Sequence, residues 1–168
     1  LPERRIRVLG DGGYATQEYL HQLPASVDVV SRLLITGKLY ALPPKPAGRR
    51  RGCPPKKGPL LGSPKTLARK RHDWQPHPRE AGALVQAWDG LWHAVLPGRL
   101  VRVVVVRRPA SARPRKPGHH KPPPPLEAFF TTDLSLSLEA ILEQYRDRWA
   151  VEITIRDTSA FDGLGRDH

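Results

Sequence analysis

Polar and apolar positions change period several times along the chain. Arg4–Leu9 interleaves charge with Ile6 and Val8 and stops at Asp11-Gly12-Gly13, the pattern of a half-buried strand running into a tight turn. Ala15–Leu23 has the content of a short helix closed by Pro24, and Val27–Ile35, rich in β-branched residues, predicts a second strand. Ala83–Trp88 and Leu91–Leu96 flank Asp89-Gly90, a hairpin signal, and Leu100–Arg107 follows a Pro97-Gly98 turn, so an antiparallel meander is expected here. Leu126–Thr132 predicts one more strand. A long helix is expected from about Ser137, with Ser137 as N-cap and Glu139 in the first turn. Its apolar positions, Leu138, Ile141, Leu142, Tyr145, Trp149 and Ile153, recur at spacings of three and four. Strand, helix, strand, meander, strand, helix describes an α/β or α+β architecture carrying an all-β segment.

Composition adds a constraint on where a core can form. The 168 residues carry 28 Lys and Arg against 16 Asp and Glu, a net charge of +12. The excess is local: 43–72 and 109–125 contain basic residues and no acid, and they hold most of the 19 prolines. Proline removes backbone donors and the apolar content is low, so both stretches are expected to be extended basic loops. Three readings of such loops stay open: phosphate contact by counterion displacement, a solvated linker, and an acidic protein partner. The one cysteine excludes a disulfide framework and multi-cysteine zinc sites, which makes a reducing, cytoplasmic location the default. No apolar run approaches the roughly 18 residues of a membrane span, and the charged opening lacks a signal-peptide pattern. A chain opening at Leu1 is expected to be a fragment.

Candidate chemistry concentrates at two acids. Asp11 sits where a strand ends in glycines, a position that projects a side chain beyond a sheet edge. Glu152 lies seven residues after Tyr145, about 700° around a helix, so the two share one stripe with Arg148 beside them and Ser159 one repeat further on. Each feature also has an ordinary explanation: a turn-forming Asp, a surface helix pair, aromatic packing. His72, His77, His119 and His120 as metal ligands, and Cys53 as a nucleophile, are weaker candidates because they sit among prolines.

Four stretches together resemble the DDE transposases of bacterial insertion sequences whose RNase H-like domain carries a β-strand insertion. They are Val8–Tyr14; Val29–Leu33 with Leu39-Tyr40 and the basic loop; Val101–Arg108 with Phe129–Leu134; and Tyr145–Glu152, which matches the family's Tyr-x2-Arg-x3-Glu signature without a gap. The resemblance implies an α/β, RNase H-like partial mixed sheet made of a strand-helix-strand part of the core (4–40), an all-β insertion (83–108) between two basic loops (41–82 and 109–125), and a strand with the catalytic helix (126–163). It implies that Asp11 and Glu152 are the second and third catalytic, metal-binding carboxylates, holding two Mg²⁺ or Mn²⁺ ions for in-line displacement at phosphorus. Tyr145 and Arg148 would position a DNA phosphate, and Arg49, Arg50, Arg51, Lys56 and Lys57 would contact the DNA backbone. The partners implied are transposon ends and target DNA, within a homodimer. The sequence departs from the family at Ser159, where a basic residue is usual, and at Arg108, where an acid is common. The family's first Asp belongs upstream of Asp11, so the expectation is a truncated transposase, inactive alone. The alternative is a non-catalytic basic module binding DNA or RNA, or the product of a decayed mobile element.

Overall fold

The computed structural model describes residues 6–44, 52–70, 73–109 and 126–148. Strand β1 (Ile6–Leu9) leads through a 3-10 turn at Gly12–Tyr14 to helix α1 (Gln17–Gln22), then to β2 (Val27–Leu33) and β3 (Leu39–Tyr40). Next come β4 (Leu60–Gly62), α2 (Pro64–Lys70), β5 (Gln75–Pro76), β6 (Leu84–Leu91), β7 (Leu100–Arg107) and β8 (Leu126–Thr131). A final helix, α3, occupies 138–148 of the described residues. The strands form one mixed eight-stranded sheet in the order β1-β2-β8-β7-β6-β3-β4, with β5 added alongside β6. The β1–β2 pair is parallel and the other pairings are antiparallel.

Strand β7 is the centre of the fold because its sequence suits burial on both faces. Val101, Val103, Val104, Val105 and Val106 are all fully buried, a nearly continuous β-branched run of the kind found between two covering layers. On one face Val103, Val105, Phe130, Trp88 and Trp92 pack with Leu20 of α1 and with Leu67 and Ala68 of α2. On the other face Val30, Val85, Val104, Val106 and Phe129 receive Ile141 and Tyr145 of α3. The expected N-cap holds: Ser137 Oγ accepts the Ala140 N–H at 3.2 Å, and Ser137 O accepts the Ile141 N–H at 3.1 Å. Helix α1 starts likewise at Thr16, whose hydroxyl accepts the Tyr19 N–H.

Two expectations need correction. Asp89-Gly90 is not a hairpin turn: β6 runs straight through it, with Asp89 opposite Arg102 and Gly90 opposite Val101. Arg102 grips both Asp89 carboxylate oxygens, at 2.8 and 3.0 Å, and a Cβ on Gly90 would meet Leu61, Tyr40 O and Leu39 at 3.3–3.5 Å. Those cross-strand contacts outweigh the local turn propensity, and the reversal occurs over 92–99, so that of the expected strand Leu91–Leu96 only Leu91, the last residue of β6, is extended. The first basic stretch is likewise more than a loop. It contains β4 and α2, and Pro64, Leu67 and Ala68 of α2 are buried. The 83–108 segment lies within the same sheet, with β7 paired to β8 along the full length of β8.

Candidate functional site

Asp11 is held at the end of β1 by hydrogen bonds that tie its turn to β2. Gly10 N–H donates to Val30 O at 2.9 Å, and Ser31 Oγ–H donates to Asp11 O at 2.9 Å. The Asp11 carboxylate accepts the Gly13 N–H and caps the 3-10 turn, so part of the ordinary turn-former role is fulfilled. Its side chain is exposed. The turn passes so close over β2 that a Cβ on Gly12 would lie 3.5 Å from the Arg32 Cβ. Because β1 and β2 are parallel, Asp11 and Arg32 project from the same carboxyl end of the sheet, where ligands of open α/β sheets characteristically bind.

Helix α3 brings Tyr145 and Arg148 to the same place. Tyr145 is buried, its ring centroid 4.5 Å from that of Phe129 on β8, and the Arg148 guanidinium lies 5.3 Å from the Tyr145 ring centroid. Burial pushes the Tyr145 phenol above its ordinary pKa; the Arg32 and Arg148 charges and an Arg148 hydrogen bond pull it back, and the Asp11 charge pushes it up again. Asp11, Arg32 and Arg148 therefore all lie within electrostatic reach of the Tyr145 phenol. At neutral pH the phenol keeps its proton and remains a hydrogen-bond donor.

Three residues singled out from sequence, Asp11, Tyr145 and Arg148, thus converge. Arg32 joins them without having been singled out; the available signal was the one cation near the end of a strand rich in β-branched residues. Its guanidinium is held by Glu127 at 2.5 Å, and the other Glu127 oxygen is taken by Arg108. Arg108 in turn grips Glu80 through two hydrogen bonds of 2.5 and 2.8 Å. The residue that departs from the family pattern therefore anchors a chain of ion pairs ending beside Asp11. Its own pKa is raised, chiefly by the Glu80 hydrogen bonds.

Other candidates separate from this cluster. Lys56 and Lys57 lie toward β3, with Lys57 Nζ 4.1 Å above the Tyr40 ring. Four strand spacings separate β3 from β2, roughly 19 Å. His77 is committed to structure, its Nδ1 accepting the Arg79 and Glu80 N–H groups at 3.1 and 2.9 Å. Cys53 is exposed. Asp28 and Asp133 are buried at the opposite end of the sheet and bound to Arg99 (2.7 Å) and Arg7 (2.5 Å). A cavity of about 390 Å³ between Gln86, Trp88, Asp89, Arg102 and Leu138 includes none of the four clustered residues. Arg49, Arg50, Arg51, His72, His119, His120, Trp149, Glu152, Ile153 and Ser159 lie outside the described residues.

Among the described residues no three His, Cys, Asp or Glu side chains converge, and no helix is long and apolar enough to cross a membrane. No curated protein and no solved structure matches the chain. The family described as Transposase DDE domain matches it over residues 1–168. With Asp11 in its glycine turn and the Tyr145–Arg148 pair of the family signature at one end of the sheet, the chain belongs to the DDE transposase domain family, whose role is DNA transposition.

Proposed function

We propose that this chain is the catalytic part of an insertion-sequence transposase with an RNase H-like fold, and that its DNA-cleaving centre forms around Asp11 and Glu152. The observation that carries the reading is the meeting of Asp11, Arg32, Tyr145 and Arg148 at the carboxyl end of two parallel strands. Two arginines beside a protonated phenol suit a phosphodiester: the guanidinium groups take its charge and the phenol donates to an oxygen. Arg148 and Tyr145 then fix the scissile phosphate, while Arg32, held by Glu127, approaches from β2.

DDE transposases generally use divalent metals. The donor chemistry at Asp11 fits such an ion, because the carboxylate is an exposed hard-oxygen ligand. With Glu152 as co-ligand, two Mg²⁺ or Mn²⁺ ions would supply an activated oxygen nucleophile and stabilise the departing oxygen. The resemblance matches two of the family's three carboxylates to this sequence, so the 168-residue chain alone is expected not to nick DNA. Arg49, Arg50, Arg51, Lys56 and Lys57 contact the duplex backbone at a distance from the centre. Homodimerisation on paired DNA ends and a cytoplasmic location complete the reading.

The test is metal-dependent DNA affinity. Mn²⁺ is expected to tighten binding of the chain to a short duplex, and Asp11→Asn and Glu152→Gln each to abolish that gain while sparing metal-free affinity. Binding that ignores Mn²⁺, or a gain that survives both substitutions, supports the non-catalytic basic module instead.

A further inference from the structure

A second basic surface lies on the sheet face opposite α3. Helix α2 lies in an acid-free stretch, and its pattern is amphipathic: Pro64, Leu67 and Ala68 turn inward, while Lys65, Thr66, Arg69 and Lys70 are exposed. It is fixed to the body rather than tethered. Ser63 and Thr66 hydrogen-bond reciprocally at its start, Lys65 N–H donates to Ile35 O at 2.9 Å, and Leu67 and Ala68 enter the core beneath β7. Arg107 emerges on this same face at the end of β7, its guanidinium 4.2 Å from the ring centroid of Trp74, which packs on the same core.

The pairing of charges separates this surface from the paired arginines elsewhere on the sheet, although Lys38, Lys56 and Lys57 are likewise exposed with no carboxylate partner among the described residues. Arg7, Arg32, Arg79, Arg99, Arg102 and Arg108 each hold a carboxylate. Lys65, Arg69, Lys70 and Arg107 have no carboxylate partner among the described residues and all four are exposed. Cations left unneutralised on a rigid scaffold fit a polyanion, whose condensed counterions they displace.

We propose that the outer side of α2, with Arg107, is a second contact surface for the backbone of duplex DNA, separate from the Asp11 centre. The inference rests on DNA being the partner, which family membership gives, and not on the metal-site reading. Lys65 and Arg69, four residues apart, lie on one side of the helix, and Lys70 projects about 100° around from Arg69 at its end, so two cations face one phosphate track and the third flanks it. Arg107 adds a fourth from the sheet.

The experiment measures the salt dependence of binding between the 168-residue chain and a fluorescein-labelled mixed-sequence duplex. Three substitutions together, Lys65→Gln, Arg69→Gln and Lys70→Gln, are expected to flatten the log K against log[salt] slope by ~2.7, at ~0.9 per contact. Between 50 and 200 mM salt that removes roughly a 40-fold share of the affinity loss. Arg107→Gln should flatten it by ~0.9. A charge-preserving set (Lys65→Arg, Arg69→Lys, Lys70→Arg) should keep the original slope, and circular dichroism verifies the fold of each variant. Unchanged slopes in the two neutralised variants, no duplex binding by the unmodified chain, or an effect confined to single-stranded RNA overturns the proposal. Failure of the metal response with these slopes intact removes the Asp11–Glu152 reading alone.

Discussion

Replacing Arg108 by alanine tests whether the ion-pair chain running toward Arg32 is a stabilising element. Two arms are lost together. The arm to Glu127 joins side chains only 18% and 21% exposed, and a hydrogen bond to a charged partner of that kind contributes about 1.5–3 kcal/mol. Glu127 keeps Arg32, so the lower end applies. The arm to Glu80 is bidentate, but Glu80 is 41% exposed and solvent screens it to about 0.5–1 kcal/mol. Arg108→Ala should therefore cost about 2–3 kcal/mol, a melting-point drop of roughly 4–12 °C for a chain of this size. The assay is chemical and thermal unfolding in two double-mutant cycles, Arg108→Ala with Glu80→Ala and with Glu127→Ala. The larger coupling is expected for Glu127. Couplings below about 0.3 kcal/mol in both cycles would mean that the network contributes nothing, and the reasoning fails.

Tyr145→Phe keeps the packing on Phe129 but removes the phenolic donor; stability should change by less than about 1 kcal/mol while duplex affinity falls roughly 2–10-fold, and an unchanged affinity removes the phenol from phosphate binding. Acidification should destabilise the fold through Asp133 and Glu80. Both pKa values are lowered, by the Ser135 hydroxyl and Arg7 at Asp133 and by Arg108 at Glu80. Their stabilisation is thus complete above the ordinary carboxylate range and is lost as pH falls through the depressed values; Asp133→Asn should flatten that acid limb in a pH-dependent unfolding series. Phe130→Ala deletes a fully buried ring whose centroid is 5.4 Å from that of Trp92 and should cost about 3–5 kcal/mol by denaturant titration; a loss under 1 kcal/mol contradicts the assigned core.

The elements legible in the sequence are those whose signals are local and agree with their surroundings. The valine run of β7 identifies a doubly covered strand, and Ser137 before an i, i+3, i+4 stripe identifies the start of α3. Asp89-Gly90 was misleading because its turn propensity competes with the Arg102 ion pair and with the close approach of β3, contacts that exist only once the sheet is assembled. Helix α2 was obscured by basic and proline-rich composition, although Ser63-Pro64, a capping residue followed by proline at the first helical position, is a start signal. At the candidate site, Tyr145 and Arg148 were legible through helical spacing and Asp11 through its glycine turn. Arg32 was not, since its nearness to Asp11 comes from the parallel pairing of β1 with β2, a long-range contact that no spacing along the chain encodes.

Paramagnetic broadening by Mn²⁺ tests the central claim most directly. With side-chain carboxyl signals of the 168-residue chain assigned, sub-stoichiometric Mn²⁺ should broaden Asp11 and Glu152 together before any other acid, and Asp11→Asn should relieve the broadening at Glu152. Broadening that spares both residues, or that reaches one without the other, contradicts a shared metal centre at the end of β1.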